Sequence, residues 1–156
     1  MVANVQSNPK PIAGIVTSLV LCTIGIIWSI LILYRDLFAG PQGIELIFAN
    51  LFPSFLIIGF YSNTFLLISN TIILIGAILS YVFHPFGNNI VKTMSIISIF
   101  AILLFSILSY RAIVNSESWD KLNDVIRSSV VGGIIGGGIG GILEFGIIFL
   151  LFRKYR

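Results

Sequence analysis

Charge is what this chain has least of. Only 10% of its 156 residues are Asp, Glu, Lys or Arg, while 57% are hydrophobic and the mean hydropathy is +1.06. A soluble domain carries about a quarter charged residues, so this chain cannot cover a soluble surface of its size. The apolar residues also fall in long runs, which is the pattern of membrane spans. The sequence therefore reads as an all-α, polytopic transmembrane helix bundle forming one integral membrane domain over residues 1–156.

Cysteine and histidine are nearly absent. Cys22 is the single cysteine, which excludes an intrachain disulfide and a cysteine-rich metal site. His84 is the single histidine, so one chain holds neither a bis-His haem nor a two-His metal centre. No nucleophile–base pair and no phosphate loop ending in Lys-Ser/Thr is visible. Neither catalysis, nor a metal, nor a cofactor is expected. The net charge is +3, but basic residues cluster only at Arg153, Lys154 and Arg156. That tail leaves no basic face for a nucleic acid and reads as an anchor against anionic lipid headgroups, with the C-terminus cytoplasmic.

Residues 1–9 are polar and predict a disordered tail. Pro11–Tyr34 is an apolar run of 24 residues, longer than the roughly 7–15 residues of a signal-peptide core, and predicts a first span over 11–34. Residues 44–83 would reach about 60 Å as one helix, twice the hydrocarbon thickness. The polar Tyr61-Ser62-Asn63-Thr64 then predicts a turn between spans at 44–60 and 64–83. Pro53 predicts a kink, and the alternative makes 44–60 an interfacial or re-entrant segment weakened by Glu45, Asn50 and Pro53.

Residues 84–89 predict a loop, and further spans are expected near 92–113 and 128–152. Between them, Trp119, Leu122 and Ile126 recur at helical spacing and predict an amphipathic connector over 115–127. The expectation is five spans, with four as the alternative. Tyr34, Tyr61, Tyr81, Tyr110, Trp119 and Tyr155 sit near predicted span ends, as an aromatic belt requires. Trp28 is deeper and is expected to pack against a neighbour.

What the chain has in excess is glycine, concentrated in the last span. Seven fall within residues 132–141. Residues four apart share a helix face, so Gly132, Gly136 and Gly140 form one line and Gly133, Gly137 and Gly141 the line beside it. A face without side chains lets another helix approach closely and gain van der Waals contact. Gly14, Ser18, Cys22, Gly25 and Ser29 draw a stripe of small residues along the first span, and Ser69, Gly76 and Ser80 a shorter one. The glycine band is expected to dock on one of these stripes, on a second copy, or on another protein.

Glu144 extends the first glycine line. It lies nine residues before Arg153, about 13 Å along a helix, and so within the hydrocarbon. An acid there takes up a proton or finds a partner. Arg127 is about 25 Å away on the same helix, which leaves Asn50, Asn70, serines or an offset Arg111 as candidate intramembrane partners. Small extramembrane mass, short loops and little chemistry point to an accessory or scaffold subunit of a larger membrane complex, packing through its last helix. The expected partners are other integral membrane subunits and lipids. The alternative is a homo-oligomeric channel, or a proton- or cation-coupled transporter, using Glu144.

Overall fold

The computed structural model describes residues 11–40 and 50–155, with only the backbone of His84. The expected tail 1–9, Glu45, residues 44–49 of the expected second span and Arg156 lie outside the described residues. Four helices carry the fold. Helix α1 is Ile12–Tyr34, prolonged by a π-helical turn over Arg35–Ala39 that stops at Gly40, whose φ is +66°. Helix α2 is Pro53–Val82, α3 is His84–Val114 and α4 is Asp124–Arg153. A 3-10 turn, Trp119–Lys121, lies before α4. Each of the four helices is long and apolar enough to cross a bilayer. By composition and length the chain is a multi-pass membrane protein with four spans, not five.

The miscount comes from residues 53–64, and a second proline, Pro85, moves a helix boundary without changing the count. Pro53 does not kink a span: it stands in the first turn of α2. There its missing N–H has no partner to lose and its φ suits the helix. The expected turn at residues 61–64 is helix interior, where the Thr64 hydroxyl donates to the Phe60 carbonyl at 2.9 Å. Residues 53–60 thus belong to α2, which excludes a separate span reaching residue 60 and gives the four-span count of the alternative. Pro85 does the same for α3. The expected loop 84–89 is the first turns of that helix, and Phe83 alone breaks α2 from α3.

The connector 115–127 is not an amphipathic helix. After the 3-10 turn the backbone extends at Leu122. The Asn123 side chain then accepts from the Ile126 N–H at 2.9 Å, a cap that starts α4 four residues earlier than expected. Arg127 gathers this corner. It donates to the Trp119 carbonyl at 3.1 Å, lies 5.5 Å from the Trp119 ring centroid, and approaches Asp120 and Asp124 at 3.8 and 4.0 Å.

Side-chain contacts set the arrangement. Ser69 of α2 bonds Ser98 of α3, and Ser80 bonds Asn88. Gly141 of α4 faces Ile102 of α3. Gly25 of α1 faces Asn70 of α2, and Gly14 faces Phe152 of α4. Every neighbouring pair is therefore antiparallel. The beginning of α1 and the end of α4 share one end of the bundle with the α2–α3 junction. Along α2, Tyr61 and Tyr81 are about 30 Å apart at 1.5 Å per residue. Both are exposed, and their spacing matches the hydrocarbon core that an aromatic belt frames. Trp28 is 65% exposed and faces outward rather than packing on a neighbour.

The core lies toward the end that holds the termini of α1 and α4. Ile15, Cys22, Ile73, Ala77, Val91, Ile102, Phe145, Ile148 and Phe152 are buried together. On α4 only Phe145, Ile148 and Phe152 are buried, all in its last third. The half of α4 that carries Gly132 to Gly141 has no bulk with which to fill the space beside it. A cleft of about 980 Å³ opens there between α4 and the facing halves of α2 and α3.

Candidate functional site

The small-residue stripes and the glycine band have separate fates. The α1 stripe is an interface within the chain. Gly14, Ser18, Cys22 and Ser29 are buried. A Cβ on Gly14 would stand 2.7 Å from a Phe152 ring carbon, and one on Gly25 would stand 2.5 Å from Nδ2 of Asn70. The α2 stripe is likewise used, with Gly76 against Ile90 and Val91 of α3. Small residues here bring helices together, as expected for apolar solvent.

The doubled glycine line of α4 is mostly unmatched. Gly132, Gly133, Gly136, Gly137 and Gly140 have nothing within 4 Å of where a Cβ would stand, and only Gly141 meets a neighbour, Ile102. Gly138, which belongs to neither line, meets the Ser106 hydroxyl. Docking of this band onto α1 or α2 within the chain, as the sequence allowed, does not occur among the described residues. The two lines face different ways. Gly133, Gly137 and Gly141 line the cleft, while Gly132, Gly136 and Gly140 are not part of its wall.

Glu144 stands one turn below Gly141. Its Oε1 is buried and has no hydrogen-bond partner among the described residues. Three other oxygens share that condition: Ser18 Oγ on α1, Asn70 Oδ1 on α2 and Ser95 Oγ on α3. Each helix supplies one. Cys22 of α1 is also buried. The registers set by Ser69–Ser98, Gly141–Ile102, Gly25–Asn70 and Gly14–Phe152 place Cys22, Asn70 and Glu144 at one level, with Ser18 and Ser95 about 6 Å lower. A buried polar atom without a partner costs about 1–3 kcal/mol, so four of them on two adjacent levels point to a ligand, a bridging solvent or a functional role.

Of the expected intramembrane partners, Asn70 is brought to the level of Glu144 and is 2% exposed. Asn50 and Arg111 are not. Asn50 is exposed, ahead of α2 at the opposite end of the bundle. Arg111 is exposed in the last turn of α3, at that same end. Ser18 and Ser95 carry no motif in the sequence beyond the small-residue stripe of α1, and only the fold shows them orphaned. Arg153 and Lys154 are exposed at the end of α4. The Tyr155 carbonyl beside them accepts from Lys92 Nζ at 3.1 Å, which ties the tail to α3.

The cleft has its own chemistry. Phe60, Tyr61, Leu66, Ile102, Phe105 and Ile134 supply apolar wall, and Ser62, Asn63, Ser106, Ser109 and Ser129 supply polar groups. Arg35 and Asp36 stand at its mouth, joined by an ion pair at 3.1 Å. Its floor is Leu66, Ile102 and Gly141, one helical turn above Glu144. Among the described residues no group of three or more His, Cys, Asp or Glu is placed to hold a metal ion. No protein-family model, curated protein or solved structure matches this chain.

Proposed function

We propose that this protein is a small accessory or scaffold subunit of a larger membrane complex, and that it receives a partner's transmembrane helix on the outward glycine line of α4. One observation carries this reading: Gly132, Gly136 and Gly140 are exposed, and nothing lies within 4 Å of where their side chains would begin. Three glycines at four-residue spacing weaken a helix in water by up to about 1 kcal/mol each relative to Ala. Their return is close approach of another helix, and elsewhere in this chain small residues are used for that purpose. Gly14, Gly25 and Gly76 each touch a neighbouring helix.

The extramembrane parts support the same reading. The connector into α4 is short and closed on itself around Arg127. The beginning of α1 and the end of α4 share one end of the bundle, and the Arg153-Lys154 pair there favours a cytoplasmic side for it. The test is co-purification from native membranes. Gly136→Leu and Gly140→Leu place a large side chain where a partner would sit, at exposed positions with nothing in the chain within 4 Å of the added Cβ. The expected result is loss of the partner with unchanged melting of the isolated protein. Retention of every partner in both variants would remove this reading.

A further inference from the structure

The cleft and the carboxylate beneath it belong together. From them we infer that the protein has a binding site for an amphipathic organic cation, with its apolar groups in the cleft and its charge held by Glu144 and Asn70. This goes beyond the assembly reading and uses other residues. The cleft faces the inner line, Gly133, Gly137 and Gly141; Glu144 lies four residues past Gly140 and also two turns past Gly137, so it borders both lines and stands beneath the cleft.

Size selects the class of ligand. Pockets for organic molecules span roughly 300–1,000 Å³, mostly apolar with a few polar groups. The cleft, at about 980 Å³, lies within that range. A bare inorganic ion needs a tight oxygen cage instead. The four orphan oxygens cannot form one: Ser18 and Ser95 lie about 6 Å below Glu144 and Asn70. Helical Cβ atoms lean toward their own N-terminus, so the two serines lean away from the cleft while Glu144 and Asn70 lean toward it.

Charge selects the sign. Arg35 and Asp36 at the mouth are paired with each other at 3.1 Å. No cationic side chain among the described residues reaches the level of Glu144. Lys92, the basic residue nearest in depth, lies about 10 Å lower and is held by the Tyr155 carbonyl. A cation at the floor therefore meets one uncompensated carboxylate, one unpartnered amide oxygen and the rings of Phe60, Tyr61 and Phe105 along its path. Ring faces attract cations more strongly once water is removed. Between cleft and carboxylate stand Leu66 and Ile102, the latter against Gly141, where a Cβ would meet its Cδ1 at 2.7 Å, and these side chains must move aside for the cation.

The test uses two probes of one shape and opposite charge, tetraphenylphosphonium and tetraphenylborate, bound to the full chain in lipid nanodiscs. The expected result is saturable phosphonium binding at least tenfold tighter than borate binding. Glu144→Gln should weaken the phosphonium at least tenfold, with melting of the unliganded variant showing that it is folded. Gly59→Trp is the second variant. Gly59 lines the cleft with nothing within 4 Å of its Cβ position, so a side chain has room to start there and the indole takes up cleft volume; binding should be lost while Glu144 is intact, and melting of the unliganded variant shows that it is folded. Equal binding of both probes, which a groove for lipid chains would show, overturns the inference. So does an affinity unchanged by Glu144→Gln, or binding retained in Gly59→Trp.

Discussion

Gly87→Ala tests the packing of the bundle at its tightest point. Gly87 is buried in the first turn of α3 and faces the last turns of α2. An added methyl carbon would stand 2.5 Å from Ser80 Cα and 2.6 Å from the Gly76 carbonyl oxygen. Non-bonded carbons prefer about 3.5–4.0 Å, so the two backbones must part by about 1 Å. Backbone cannot swing aside as a side chain can. The junction has no slack either, since Phe83 is its only non-helical residue. Overpacking of this kind costs about 1–3 kcal/mol. Separation also strains the buried Ser80–Asn88 bond, and an orphaned partner there adds about 1–3 kcal/mol.

The expected total is a loss of about 2–5 kcal/mol, read from reversible denaturant unfolding in mixed micelles by Trp fluorescence. Gly136→Ala is the internal control. Nothing lies within 4 Å of its Cβ position, so the same methyl group should leave stability unchanged or slightly raised through helix propensity. If Gly87→Ala unfolds within about 0.5 kcal/mol of wild type, the range of an uncrowded surface substitution, the α2–α3 register described above is wrong.

Three further outcomes follow from other parts of the chain. Asn123→Ala removes the cap of α4 and should cost about 1 kcal/mol, with Asn123→Ser restoring most of it in the same unfolding assay. Ser98→Ala leaves the buried Ser69 hydroxyl without its cross-helix partner; the single change should cost about 1–3 kcal/mol, and the double change with Ser69→Ala less than the sum of the two singles. In a Cys22→Ala background, single cysteines at Lys10 and Lys154 should react with an impermeant maleimide from one side of the membrane, and a cysteine at Asp120 from the other. Five spans would separate Lys10 from Lys154.

Much of the fold is legible in the sequence because membrane spans announce themselves by length and charge depletion. The intramembrane level of Glu144 follows from its distance to Arg153, and the burial of Gly14, Ser18 and Cys22 follows from their four-residue spacing. Proline is where the sequence misleads. Pro53 and Pro85 break a helix if they lie inside it and begin one if they lie in its first turn, and composition alone does not say which. Polar residues mislead in the same way: Ser62, Asn63 and Thr64 resemble a turn, but the helix satisfies the Thr64 hydroxyl and the cleft receives Ser62 and Asn63.

The candidate site is less legible for a different reason. Four-residue spacing shows that a glycine face exists but not what opposes it. Gly14 and Gly136 have the same local signature, yet one lies against Phe152 and the other has no neighbour within 4 Å. The cleft arises from what α4 lacks, since its volume is set by the helices that remain around a missing set of side chains. Its relation to Glu144 then depends on register between α3 and α4, which the Gly141–Ile102 and Gly138–Ser106 contacts supply.

Native mass spectrometry of the protein, extracted gently from its own membranes, tests the subunit reading most directly. The expected result is a complex with unrelated membrane chains at fixed stoichiometry, lost in Gly136→Leu. A monomer carrying only lipid, or a closed ring of identical copies, would contradict it.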